Sequence, residues 1–205
     1  MKRGIRCGLV VALAGVLVIA FAGLAGGKTK TKTFSSGTIN EEFGDFETAT
    51  HSFNLNKKKF KRAKVKDVDV AVRVRSTCSG SLDLVLTGPK GRSVAFSTNN
   101  HTEDFAGGDC AFMGPQNFVD AYGSGSESCN GTLTEFNDEA ETPVTEGLQS
   151  WNGQFVPEEA LREFDGGKVK GTWAVSVTDD DEFNDASTLY CAELQVKYKK
   201  KKRKN

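Results

Sequence analysis

The stretch VKDVDVAVRV, residues 65–74, determines the fold class of this chain. Its valines occupy alternate positions from Val68 to Val74 and are separated by Asp69, Ala71 and Arg73. Side chains that repeat with a period of two point to the same face of a β-strand, whereas a helix would require a period near 3.6. The stretch therefore predicts a strand with one buried face.

A second alternating stretch, LDLVLT, follows at residues 82–87. It leads into the sequence Gly-Pro-Lys-Gly at residues 88–91, which is typical of a tight turn. Val94 and Phe96 then begin a returning apolar pattern. Residues 82–96 are therefore predicted to form a β-hairpin.

The remaining segments give weaker signals of the same kind, and the 22 glycines against four prolines favour strands joined by many turns. A short helix is predicted at residues 157–161, because Pro157 precedes two acidic residues. The other predicted segments are two short strands in 34–55, a basic turn at 57–62, loops with short edge strands over 98–150, and strands at 173–177 and 192–196. Together these segments predict an all-β, jelly-roll-like antiparallel β-sandwich.

The N-terminus has the pattern of a secretory signal peptide. Lys2, Arg3 and Arg6 precede an uncharged run over residues 7–27, and the small residues of Ala20-Phe21-Ala22 offer a cleavage site. We therefore expect residues 1–27 to be a signal peptide and the protein to be secreted, without stable membrane association after cleavage. A retained membrane anchor is the alternative, since the run is long enough to span a bilayer.

Cleavage would remove Cys7 and leave an even number of cysteines in an exported chain, which predicts two disulfides. The four are Cys78, Cys110, Cys129 and Cys191. Three pairings are possible. We favour Cys110 with Cys129, because both lie in one glycine-rich segment that needs a cross-link, and this leaves Cys78 to pair with Cys191. A zinc site is disfavoured because the chain has no C-x-x-C pair.

The zero net charge of the whole chain hides a strong division along the sequence. Residues 28–66 carry a balance of +6, residues 67–196 carry −16, and residues 197–205 contain seven basic residues and no acid. We expect a flexible Lys-Thr leader at 28–33, a folded acidic domain at 34–196 and a solvated basic tail at 197–205. The tail would attract anionic cell-surface polymer or phosphate. No nucleic-acid partner is expected.

The sequence offers no recognisable catalytic constellation. The two histidines, His51 and His101, are the available bases, and neither lies beside a nucleophile turn. Phosphate-binding loops and dinucleotide fingerprints are absent. The 23 acidic residues of 67–196 offer many carboxylate pairs, but none has a distinctive context. We therefore expect a protein that is not an enzyme.

A crowded acidic loop is the candidate for a metal site. The sequence Asp179-Asp180-Asp181-Glu182 places four acids between two predicted buried strands. Solvent, counterions or a hard cation can relieve the repulsion at this density. A solvated turn is the simpler interpretation, and the spacing is not that of an EF-hand. If calcium binds, Asp83 in the hairpin is a plausible additional ligand.

The order of motifs resembles the P domain, also called P/Homo B, which follows the catalytic domain in proprotein convertases and many bacterial secreted proteases. The resemblance rests on the alternating stretches at 65–74 and 80–91 and on a later series of motifs. That series comprises Phe118-Val119-Asp120-Ala121, residues 157–164 with Gly166, residues 171–179 (GTWAVSVTD) and residues 189–194. It covers about residues 34–196.

The resemblance implies a jelly-roll β-sandwich and a non-catalytic role in stabilisation or binding. It also implies calcium as a cofactor, held by the loop carboxylates of Asp83, Asp179 and Asp181. The chain departs from the family pattern at Ser76-Thr77-Cys78, where the family often has a histidine. It also lacks the family's protease, which predicts a free-standing domain.

Two functions follow from these observations. The first is a secreted, non-catalytic binding or accessory module with an unknown extracellular protein or glycan as its partner. The second is a carbohydrate-binding jelly roll that uses loop aromatics. Trp173 alternates with Val175 and is expected in the core, so Trp151, in a predicted loop, is the candidate platform for a sugar ring.

Overall fold

The structure, a computed structural model, describes residues 28–100, 119–147, 150–180, 182 and 186–200. The predicted signal peptide, His101, Cys110 and Asp181 lie outside these ranges. The described residues form eleven strands: β1 (Thr29–Ser35), β2 (Glu41–Gly44), β3 (Thr48–Asn54), β4 (Ala63–Ser76), β5 (Leu82–Thr87), β6 (Ser93–Thr98), β7 (Val119–Tyr122), β8 (Thr134–Phe136), β9 (Gly153–Phe155), β10 (Thr172–Asp179) and β11 (Ala186–Lys200). Helical structure in these ranges is limited to short 3-10 turns.

The strands form two sheets. In the large sheet the order is β1-β11-β4-β8-β9. In addition, β2 pairs with another part of β11, and β7 pairs with another part of β4. The small sheet has the order β3-β10-β5-β6. Every pairing between two of these eleven strands is antiparallel except that of β8 with β9, which is parallel. The predicted all-β sandwich is confirmed, with this one parallel pair as an addition.

The predicted strand at 65–74 is the centre of the large sheet, where it forms most of β4. Its alternate valines from Val68 to Val74 are buried, and they pair in register with apolar residues of β11 such as Leu194 opposite Val70. The hairpin of β5 and β6 is also confirmed. Leu82, Leu84 and Leu86 of β5 are buried. The two sheets therefore share one apolar core.

Both ends of the described chain differ from the prediction. Residues 28–33 are not a flexible leader, because β1 pairs with β11 from Thr29 opposite Lys199 to Ser35 opposite Glu193. The basic tail does not begin at 197, since β11 continues to Lys200. The Lys-Thr alternation has no apolar face, so the sequence contains no hydrophobic pattern that would predict this strand. Backbone pairing to a long partner strand fixes these residues instead.

The predicted helix at 157–161 is wrong as well. A 3-10 turn occupies Leu161–Phe164, and the two residues before Ala160 run along the open edge of β6. The backbone N–H groups of Glu158 and Glu159 donate to the carbonyls of Phe96 and Ala95 at 3.2 and 3.1 Å. An exposed sheet edge presents unpaired backbone groups, and this segment satisfies some of them.

Candidate functional site

The strand register separates the predicted calcium ligands. Asp83 lies opposite Thr178, and Asp179 lies opposite Leu82. Neighbouring residues of a strand point to opposite faces, so Asp179 shares the buried face with Leu82 whereas Asp83 lies on the outer face. Asp179 is accordingly 0% exposed. The prediction that Asp83 and Asp179 form one ligand set is therefore wrong, and Asp181 lies outside the described residues.

Asp83 has other acidic neighbours. Burial raises the pKa of its carboxyl, and the negative charges of Asp180 and Glu158 raise it further. Its Oδ1 atom is buried without a hydrogen-bond partner. The carboxylates that approach Asp83 thus come from the residue after β10 and from the segment that covers the edge of β6.

These neighbouring carboxylates already have partners. Glu158 accepts hydrogen bonds from the N–H and hydroxyl groups of Thr98 at 2.7 and 2.6 Å and from the amide of Asn100 at 2.6 Å. Asp180 accepts one from the side chain of Asn99 at 3.1 Å. These bonds order the β6 edge and the adjoining Asn99 and Asn100, whereas the Oδ1 atom of Asp83 has no hydrogen-bond partner, so calcium at Asp83 stays a prediction.

Trp151 does not provide an exposed platform. Its side chain is 1% exposed, its indole N–H donates to the Val144 carbonyl at 3.0 Å, and its ring stacks on that of Tyr122 at 5.1 Å between centroids. The predicted sugar-binding role of Trp151 is therefore wrong for this conformation. Trp151 forms an isolated parallel bridge to Tyr122, the last residue of β7, and that pairing draws Trp151 into the core.

Other large aromatic side chains of the described residues are buried too. Trp173 is in the core, as predicted, and Tyr122 and Tyr190 are also buried. The large hydrophobic side chain that is exposed in the described ranges is Phe46, in the turn between β2 and β3, at 67% exposure. An isolated exposed aromatic is ordinary on a protein surface.

The disulfide pairing differs from the prediction. Cys129 is bonded to Cys191, across 62 residues of sequence, and not to Cys110. Cys78 is also disulfide-bonded, and its partner lies outside the described residues. The loop after β7 folds back through a bridge between Ser124 and Thr132, which brings Cys129 against the outer face of β11. Neither proximity in sequence nor the glycine content of the segment predicts the contact between Cys129 and Cys191.

A buried arginine lies next to this disulfide, and the sequence alone does not predict its contacts. Arg73 is buried on the outer face of β4, where its guanidinium donates to Asp120 at 2.5 Å and to the Val74 carbonyl at 3.1 Å. It also lies 5.7 Å from the centre of the Tyr190 ring. Arg75 forms an ion pair with Glu127 in the same loop. The alternation of Arg with Val in β4 indicates the outward direction of these side chains but not their partners.

The same outer face carries a second group of carboxylates farther along β4. Asp67 and Asp69 belong to β4, and Glu139 follows β8. One carboxylate oxygen from each lies within 4.8 Å of the other two. The alternation of residues 65–74 predicts that Asp69 lies on the outer face of its strand, and no spacing rule relates Asp67 and Asp69 to Glu139.

Basic residues gather near the edge of the large sheet that β1 forms. The pKa of Lys59 is lowered by desolvation and by the positive charges of Lys32, Lys57 and Lys200. These lysines come from β1, from the turn before β4 and from the end of β11. We call these four residues the lysine patch. Lys200 belongs to the predicted basic tail of residues 197–205, so the patch includes part of that tail within the folded domain.

The described histidine, His51, lies in β3 with its ring 4.8 Å from that of Phe53. Burial lowers its pKa, and the charge of Glu41 opposes that shift. The aromatic contact agrees with the structural role that its position in a strand predicts. No helix in the described ranges is long and apolar enough to cross a membrane.

Comparison with known proteins gives distant structural similarity. No protein-family model matches the sequence, and no curated protein matches it. The chain is similar to the Aeromonas sobria serine protease in the crystal structure of its complex with the chaperone ORF2, with 15% identity, a TM-score of 0.47 and 85% of this chain covered. The structure of that protease without the chaperone gives 14% identity, a TM-score of 0.46 and 83% coverage.

The chain spans only 28% and 27% of the length of those two protease chains. A third similarity, to the unassembled VP1 pentamer of KI polyomavirus, has a TM-score of 0.17 and 13% identity over 86% of this chain and 75% of that one. These alignments are too loose to assign the chain to a family, so the resemblance to the P domain remains a prediction from the sequence.

Proposed function

We propose that the chain is an exported, non-catalytic binding or accessory module of the P-domain type. The observation that carries this proposal is the disulfide between Cys129 and Cys191. Such a cross-link persists in oxidising compartments outside the cytosol. The signal-peptide pattern of residues 1–27 supports the same destination, and the motif series of the P domain supports the accessory role.

The lysine patch is the surface through which we propose that the module engages an anionic extracellular protein or glycan. It gathers Lys32, Lys57, Lys59 and Lys200, and Lys200 belongs to the basic sequence run that begins at Lys197. Clustered positive charge raises the encounter rate with anionic partners, and salt screens this attraction. The alternative function of sugar stacking loses its support, since Trp151 is buried.

The test combines export with binding. The chain, produced with its own N-terminus in an exporting host, should appear in the medium with its signal peptide removed and with four hydrogens lost to two disulfides, as measured by intact mass. Capture experiments from medium and cell envelope should then recover an anionic partner at low salt and lose it as salt increases.

Charge variants provide the matched comparison. Combined Lys32→Glu, Lys57→Glu and Lys59→Glu should abolish that capture, while Lys90→Glu in the distant hairpin turn should preserve it. A protein that stays in the cytosol with free thiols would contradict export. Recovery of no partner at any salt concentration, or equal recovery with both variants, would contradict the binding role.

A further inference from the structure

Three carboxylates converge on the outer face of the large sheet. Asp67 and Asp69 lie in β4 opposite Lys197 and Gln195 of β11, and Glu139 follows β8 on the other side of β4. One carboxylate oxygen of each residue lies within 4.8 Å of the other two. Three groups of like charge from two separate segments are therefore close together. Their repulsion is unfavourable unless a proton or a cation offsets it.

Asp69 supplies an independent sign of a missing partner. The residue is 6% exposed, and its Oδ2 accepts a hydrogen bond from the Gln195 amide at 2.6 Å. Its Oδ1 is buried and has no hydrogen-bond partner. A buried carboxylate oxygen without a partner is costly, and proteins ordinarily satisfy such an atom by a hydrogen bond, a water or an ion.

The surrounding charges do not supply that partner. The pKa of Asp69 is raised to about 6, first by burial and then by the negative charges of Asp67, Glu135 and Glu139, against the opposing hydrogen bond from Gln195. Lys197 reaches Asp67 at 3.4 Å, and its own side chain is half exposed. In the described part of the chain, no ion pair includes Asp69 or Glu139.

The spacing and the donor type suit calcium. Calcium binds six to eight oxygens at about 2.3–2.6 Å, so two ligands of one ion are at most about 5 Å apart. Magnesium requires about 2.0–2.1 Å and near-ideal octahedral geometry, which calls for tighter convergence.

We propose that Asp67, Asp69 and Glu139 form a calcium site on the outer face of the large sheet. The site differs from the acidic loop after β10 in both position and residues. Bound calcium would offset the charge of Asp69 and link β4 to the segment after β8. This proposal does not depend on the accessory function, although export would place the site in contact with extracellular calcium.

The experiment is a thermal melt of the secreted protein in EDTA, CaCl₂ and MgCl₂, with isothermal titration calorimetry of calcium alone. Calcium should raise the melting temperature by roughly 5–10 °C at about a hundredfold excess over its dissociation constant. Magnesium should have a much smaller effect. Absence of a calcium shift at millimolar concentrations would overturn the proposal.

Three variants locate the site. Asp69→Asn should abolish the calcium shift yet be at least as stable as the wild type in EDTA, because it removes a buried charge and keeps an acceptor for Gln195. Glu139→Gln, at an exposed position, should fold normally and weaken calcium binding at least tenfold. Asp83→Asn, the matched control on the small sheet, should keep the full shift. A shift that survives in the first two variants, or that disappears only in Asp83→Asn, would contradict the assignment.

Discussion

The Asp83 carboxyl is expected to make stability depend on pH. Its pKa is raised in the folded protein by burial and by the charges of Asp180 and Glu158. A group with a raised folded pKa favours folding most at low pH, and this contribution is lost as pH rises through that pKa. Asp83→Asn removes the charge and offers an amide donor to the neighbouring carboxylates.

The variant should therefore melt above the wild type near pH 7, and the difference should shrink as the pH falls towards 4. Thermal melts of both proteins across this range, in EDTA, measure the effect. A difference that stays constant with pH, or that favours the wild type at neutral pH, would show that the Asp83 charge has no such cost.

Trp151 should contribute to stability instead of ligand binding. Trp151→Ala removes a buried indole that stacks on Tyr122 and donates to the Val144 carbonyl, so it should lower the free energy of unfolding by about 3–5 kcal/mol. Trp151→Phe keeps most of the apolar contact and should cost less. Urea denaturation of both variants checks this order, and equal stability of Trp151→Ala and the wild type would refute the burial.

At the scale of single elements, β1 is expected to be part of the folded domain. Deletion of residues 28–33 removes five pairs with β11, from Thr29 opposite Lys199 to Thr33 opposite Gln195. Cross-strand pairs contribute a few tenths to 1 kcal/mol each, so the deletion should cost about 1–5 kcal/mol. It should also promote self-association, because it exposes the edge of β11.

Deletion of residues 201–205 is the control, since these residues follow the last residue of β11. It should leave the melting temperature unchanged. Melting curves and size-exclusion profiles of the two truncated proteins make the comparison. Equal behaviour of the two proteins would indicate that the Lys-Thr segment is a leader after all.

At the scale of the whole molecule, the disulfide from Cys129 to Cys191 ties the loop after β7 to the longest strand. It closes 62 residues of sequence, and the chain-entropy model gives about 4 kcal/mol for a loop of that size. The double variant Cys129→Ser, Cys191→Ser should lose about that much stability in chemical denaturation. Peptide mapping without reduction should recover the two cysteines in one cross-linked peptide, and a Cys110–Cys129 peptide would contradict this pairing.

Alternation in the sequence predicts the strands that bury one apolar face and misses those that do not. Alternation over residues 65–74 and 82–96 predicts β4 and the hairpin correctly, because one buried face imposes a period of two on the residues themselves. It misses β1, whose Lys-Thr alternation has no apolar face. It also places a helix at 157–161, where the acidic side chains pair with the edge of β6 instead of a helix N-terminus.

The candidate sites depend on contacts that no local pattern encodes. Asp83 and Asp179 seem equivalent in the sequence, but the pairing of β5 with β10 sends them to opposite faces of the small sheet. Asp69 and Glu139 are 70 positions apart in sequence, and only the pairing of β8 with β4 brings them together.

Local alternation is enough to specify the all-β sandwich of this protein, because the buried face of a strand imposes its period on neighbouring residues. The pairing of strands in three dimensions fixes which cysteines bond, whether Trp151 is exposed and which carboxylates meet. Each of these depends on strand register and on the order of strands in a sheet. Strand register and strand order are set by the free energy of the whole core, to which residues distant in sequence contribute together.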